Sequence, residues 1–163
     1  MFGFFKKKKA EDLLPAPQAP VQSVAMKPMN YHPKVILAWA KAIEGHEELG
    51  RWLNENGYPE LTIASSAIRL KDEARSWLMD NGYPHLMAMI NAAEGNAQAL
   101  RWLQVNNLDL LYHIALAVED EQDSWAWLKH NATQDLFLLA ITIKKVKDQI
   151  EESHNDVHSF GKD

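Results

Sequence analysis

Trp52, Trp77, Trp102 and Trp127 stand 25 residues apart, and each is followed by Leu, two variable residues and Asn. The four copies read RWLNENGYPEL, SWLMDNGYPHL, RWLQVNNLDLL and AWLKHNATQDL. Chance does not produce four such matches at one offset, so the chain is a tandem repeat. Further columns keep the same register. Ala42, Ala67, Ala92 and Ala117 form one; Ile36, Leu61, Leu86, Leu111 and Leu136 another; Ile43, Ile68, Ala93, Val118 and Ile143 a third. Positions between the columns change freely. Fixed apolar columns amid drifting neighbours are what a stack of units needs, because each unit meets the same surroundings.

Within a unit the spacing is helical. Ile36, Ala40 and Ile43 share one face with Trp39 beside them, as do Leu61, Ser65 and Ile68. A first helix of about ten residues is predicted to end at a turn, with Gly45 and Gly95 as left-handed stops. Asp72, Asn96 and Asp120 are placed to cap the second helix. That shorter helix carries the Trp-Leu pair and closes at the Asn column (Asn56, Asn81, Asn106, Asn131), read as a left-handed cap. Pro59 and Pro84 suit the first turn of the next helix. Tyr58 and Tyr83 are expected to cover the hairpin junction. The predicted fold class is all-α, a solenoid of tandem helical hairpins. Five first helices start near residues 34, 60, 85, 110 and 135, with four second helices between them. The last helix turns charged at Lys144, Lys145, Lys147 and Asp148 and reads as a polar terminal cap.

Composition sets the outer bounds. The 163 residues, 47% hydrophobic, support one domain plus tails. Residues 1–9 form a basic-aromatic tail, 10–31 a Pro-rich linker, 32–152 the repeat domain and 153–163 a polar tail expected to fray. Cysteine is absent, which removes disulfides, thiolate metal sites and cysteine nucleophiles and agrees with a cytoplasmic location. Net charge is −5 although four lysines crowd the front, so the body is acidic and nucleic acid is not an expected partner.

The start, MFGFFKKKK, has its apolar residues before its charges, the reverse of a secretory signal, and Phe2 excludes N-myristoylation. Phe2, Phe4 and Phe5 with Lys6, Lys7, Lys8 and Lys9 could touch an anionic membrane surface, at the inner face of the membrane, each lysine contributing about 1 kcal/mol. A solvated tail is the alternative.

Residues 42–61, AIEGHEELGRWLNENGYPEL, and 92–111, AAEGNAQALRWLQVNNLDLL, resemble the two helices of an ankyrin repeat. The alanine, the Gly-His turn, the late hydrophobic pair and the closing Asn-Gly fall where that family places similar residues. The ankyrin period is 33 residues, and this one is 25. The difference corresponds to the β-hairpin finger, and the T-P-L-H signature is replaced by ELTI and HLMA. The resemblance implies a compact, fingerless solenoid used for protein binding.

Candidate sites are few. The Trp column is expected to be core rather than a stacking platform. Trp125 shares its column with Gly50, Arg75 and Leu100, a mixture that points to an exposed contact residue. On the first helices, Leu37, Thr62, Met87 and Tyr112 run beside Lys41, Ser66, Asn91 and Leu116, one helical turn apart. Those eight residues form the expected protein-binding strip, and its alternative is packing against the second helices. His154 and His158, four apart around Asp156, are two ligands without a third. His46 and His113 read as surface or boundary residues. No phosphate-binding glycine loop, G-x-S-x-G elbow or H-E-x-x-H occurs. No cofactor is called for. The expected function is a non-catalytic protein-binding module or scaffold whose partner is another protein. A peripheral membrane adaptor held by the N-terminal tail comes second and a helical-repeat enzyme third.

Overall fold

The computed structural model describes residues 26–159, with side chains described as far as residue 156. Nine helices follow one another among the described residues. The first helices are α1 (Pro33–Ile43), α3 (Pro59–Ile68), α5 (Pro84–Ala92), α7 (Asp109–Val118) and α9 (Gln134–Ser159). The second helices are α2 (Glu47–Glu55), α4 (Asp72–Asp80), α6 (Ala97–Val105) and α8 (Gln122–Asn131). The predicted all-α repeat and its register are therefore present, and Pro33, Pro59 and Pro84 each occupy a first turn. A proline there loses no hydrogen bond, since that N–H has no intrahelical partner.

First helices pack side by side as an inner layer and second helices lie outside. The apolar columns Leu61, Leu86, Leu111 and Ile43, Ile68, Ala93, Val118, Ile143 are buried, and so are Leu53, Leu78, Leu103 and Leu128. The tryptophans differ from expectation. Trp52 is 40% exposed, and Trp77, Trp102 and Trp127 are only partly buried. The neighbouring leucine takes the core position, while the larger ring lies over the hairpin junction. Trp52 stacks on Tyr58 and Trp77 on Tyr83, with ring centroids 6.5 and 6.2 Å apart. Trp127 stacks on His113 at 4.1 Å.

The Asn column does close the second helices, by another geometry than the one expected. Asn56, Asn81 and Asn106 have negative φ; the left-handed residues are the next ones, Gly57, Gly82 and Asn107. Each Asn side chain donates through Nδ2 to the tryptophan carbonyl four residues back, at 2.7, 2.8, 2.8 and 2.9 Å in the four units. The Trp and Asn columns are thus two ends of one hydrogen bond. At the other turn Gly45, Leu70, Gly95 and Asp120 all have positive φ. Asp120 is therefore the turn residue and Asp72 the first helical residue, while Lys71 and Glu121 stand at the caps. Asn96 caps as expected, accepting from the Ala99 N–H at 2.9 Å.

The last helix is not a polar cap. α9 packs directly on both α7 and α1, and its contact with α1 is the most extensive of any helix pair. The two ends of the run meet, with Leu139, Ala140, Ile143 and Val146 buried. Closure of this kind leaves no outward end face for α9 to keep polar. The helix continues to Ser159, into the segment expected to fray. The end of the Pro-rich segment also packs on the domain. The Lys27 N–H donates to the Gly82 carbonyl at 3.0 Å, and the Tyr31 hydroxyl donates to Glu60 at 2.8 Å.

Candidate binding surface

α2, α4 and α6 each pack on their own first helix and on the next, so α3, α5 and α7 meet an outer helix on both flanks, whereas α8 packs chiefly on α7. The expected binding strip lies along one of those flanks. Thr62 Oγ1 donates to the Gly50 carbonyl on α2 at 2.9 Å, and Arg75 Nη1 of α4 donates to Asn91 Oδ1 at 2.8 Å. Thr62, Ser66, Met87, Asn91, Tyr112 and Leu116 are accordingly half-buried in seams, with Met87 and Tyr112 packed against the core. Leu37 and Lys41 occupy the same columns on α1 and are exposed, because no outer helix precedes α1.

The opposite wall of each seam carries Gly50, Arg75, Leu100 or Trp125. All four are half-buried, so Trp125 is not the freely exposed residue its column suggested; its ring meets Phe137 edge-on at 5.7 Å. Where the column holds Gly50 the seam stays open as a cleft of about 560 Å³, lined by Thr62, Ser66, Arg51 and Arg69 among others. The Arg69 guanidinium is already engaged, donating from Nε and Nη2 to the Ile43 carbonyl at 3.1 and 2.7 Å.

A charged cluster joins the closing helix to the stack, and sequence reading missed it. Lys147, 7% exposed, donates to the Ile68 carbonyl at 2.9 Å and to Glu94. Arg75 grips the same carboxylate from α4, Nη2 to Oε1 at 2.6 Å. Burial pulls the Lys147 ammonium below its ordinary pKa. Burial alone would raise Glu94, yet the Arg75 and Lys147 hydrogen bonds hold it below the usual carboxylate value. One turn earlier, Lys144 reaches Asp120 at 2.8 Å and Asp148 at 3.1 Å. Lys144 and Lys147 looked like a solvated face because nothing local marks the distant Ile68 carbonyl or Glu94 as their partners.

A second buried group lies under the N-terminal strap. His85 is 2% exposed, neither ring nitrogen has a hydrogen-bond partner, and burial lowers its pKa. Beside it Met26, Met29, Leu108 and Leu111 line a groove of about 470 Å³. Among the described residues no three His, Cys, Asp or Glu side chains are grouped to hold a metal. His154 lies on exposed α9 surface, and the side chain of His158 falls outside the described residues. Phe2, Phe4, Phe5 and Lys6 to Lys9 also fall outside them. Among the described residues no helix is long and apolar enough to cross a membrane.

The largest exposed apolar side chains of the inner layer belong to its two end helices. Leu37 on α1 is 42% exposed; Leu138 and Ile141 on α9 are 47% and 42% exposed. Comparison of the chain with protein families, with curated proteins and with solved structures finds no match.

Proposed function

We propose that this chain is a non-catalytic helical-repeat module that binds another protein, and that its binding surface centres on the joined end helices α1 and α9. The observation that carries this reading is the exposure of Leu37 and Leu138 on two helices that pack against each other. Isolated exposed apolar residues need no explanation, but a group on adjoining elements favours a contact surface. The finer likeness to a fingerless ankyrin repeat belongs to the same proposal. Antiparallel hairpins of short helices with glycine turns support it.

The test is capture of partner from the native cell by the full chain and by a Leu37→Asp, Leu138→Asp variant. Both positions are exposed, so the variant should keep its melting temperature while losing the captured protein. Capture undiminished by the two substitutions would overturn this surface as the binding site.

The sequence MFGFFKKKK favours a second reading, a peripheral membrane adaptor. Binding of the full chain to anionic vesicles should then weaken with salt and vanish when Lys6, Lys7, Lys8 and Lys9 become Gln. Equal binding to neutral vesicles would dismiss it.

A further inference from the structure

Aligned on the repeat, the seams between an outer helix and the next first helix match position by position. The outer wall carries Gly50, Arg75, Leu100 or Trp125, and the facing wall carries Ser66, Asn91, Leu116 or Ile141. One turn further on stand Arg69, Glu94, Glu119 and Lys144. In the second seam the two walls answer each other: Arg75 meets Asn91 Oδ1 at 2.8 Å and Glu94 Oε1 at 2.6 Å. The third sets Leu100 across from Leu116, and in the fourth Trp125 and Ile141 line one groove. In the first seam only one wall has a side chain. The Thr62 bond to the Gly50 carbonyl joins α3 to α2, yet Gly50 projects nothing, and the cleft of about 560 Å³ lies there. Arg69 holds the place that Glu94 has one unit on, so the charge lining this gap is reversed.

We infer that the Gly50 cleft is a binding site for a phosphate monoester, whose head takes the place that the Arg75 guanidinium has in the next unit. This goes beyond the α1–α9 surface and does not draw on it. Three cations line the cleft, Arg51, Arg69 and Lys71, all exposed. None of them belongs to an ion pair among the described residues. Lys41 and Glu44 on the neighbouring turn satisfy each other, and His46 of the lining lies 3.9 Å from Glu44. Glu47 is the one acid in the lining. Three cations against one acid leave an excess of two positive charges. A phosphate monoester, at about −1.5 to −2, neutralises that excess, and a single carboxylate does not. The Ile43 carbonyl accepts from Arg69 Nε and Nη2, which orients the guanidinium without neutralising it and leaves Nη1 to donate to the ligand. Ser66 Oγ stands 3.5 Å from the Thr62 carbonyl, at the outer limit of a hydrogen bond, so turning to a phosphate oxygen sacrifices little. A small phosphate ester and a phosphorylated side chain of another protein present the same head.

NMR of the isotope-labelled full chain, titrated with N-acetyl-O-phosphoserine amide, tests this. Saturable shifts are expected at the backbone amides of Gly50, Ser66 and Arg69, with affinity falling as salt rises. Gly50→Leu gives this seam the side chain that the third seam carries. A Cβ at Gly50 meets only the Ala42 Cβ, at 4.0 Å, and leucine favours a helix more than glycine does, so the variant should keep or raise its melting temperature. By filling the cleft it should lower affinity at least about tenfold, a change of about 1.4 kcal/mol. Arg51→Gln with Lys71→Gln leaves the cleft open and should weaken binding as much, because two of its three cations are gone. If Gly50→Leu does not fold, the charge variant decides alone. Absence of a saturable shift, or affinity unchanged in either folded variant, overturns the inference. So does N-acetylglutamate amide binding as tightly as the phosphoserine probe, since the site would then read a single negative charge. Methyl phosphate identifies the source of the head: weaker binding than the phosphoserine probe assigns the cleft to a phosphorylated side chain, and equal binding assigns it to a small ester. Leu37→Asp with Leu138→Asp should leave the titration unchanged, so this result and the partner-capture result fail independently.

Discussion

Within each Trp-Leu pair two neighbouring residues divide the work unequally. Leu78 is fully buried, whereas Trp77 lies partly exposed over Tyr83. Leu78→Ala should therefore cost about 2–5 kcal/mol, the loss for a buried leucine that leaves a cavity. Trp77→Ala should cost less, about 1–2 kcal/mol, from a stacked ring pair and part of its apolar area. Urea denaturation of the two variants checks the order; a larger loss for Trp77 would restore the tryptophans to the core. The recurrence of Trp was plain in the sequence, but recurrence does not distinguish a core position from a repeated surface junction. The Asn column shows the same limit. Its place at a helix end was legible, yet the bond from Asn81 Nδ2 to the Trp77 carbonyl depends on backbone angles that residue type does not dictate.

At the scale of elements, the turn between first and second helices imposes a left-handed residue on every unit. Gly45 and Gly95 adopt it freely, while Leu70 sits there at φ 70° with its side chain 44% exposed. Leu70→Gly should raise stability by about 0.5–1 kcal/mol, because relief of the left-handed penalty exceeds the entropy glycine adds to the unfolded chain. An unchanged or lowered melting temperature would show that Leu70 makes packing contacts that offset its strain. The start of α5 carries a pH-dependent element. Burial depresses the folded-state pKa of His85 below the ordinary 6.5, so the unfolded chain binds a proton the native chain does not. Its contribution is present above about pH 6.5 and is lost as pH falls through the folded value. Thermal melts between pH 7 and 5 should show this decline, and His85→Leu should flatten it. His113, also lowered by burial, leaves a smaller residual slope. From the sequence His85 was one histidine among seven. Its burial follows from the strap at residues 26–31, a segment whose proline-rich composition reads as linker.

For the molecule as a whole, the decisive contact is that of α9 with α1, about a hundred residues apart in the chain. The Arg75–Glu94–Lys147 cluster ties α9 to α3, to α4 and to the turn that follows α5 at once. Glu94→Gln removes the anion that offsets two cations, one of them nearly buried. It should cost about 2 kcal/mol, less than a fully buried pair because the Glu94 side chain is partly exposed. Hydrogen exchange should quicken together in α9 and α1, while the α5–α6 hairpin keeps its protection. Uniform quickening throughout would mean that the closure opens only when the whole domain unfolds.

The sequence by itself determined the period, the helix count and the apolar columns. Those features repeat, and a repeated local pattern with glycine and proline punctuation suffices to specify short helices and their buried faces. Only the tertiary structure decided that the run closes. Closure depends on the small rotation between successive hairpins, which no single unit encodes, and on α9 finding α1 rather than water. The same closure turned Lys147 from an apparent surface charge into a buried tether. It also placed the exposed Leu37 and Leu138 on two helices that pack together.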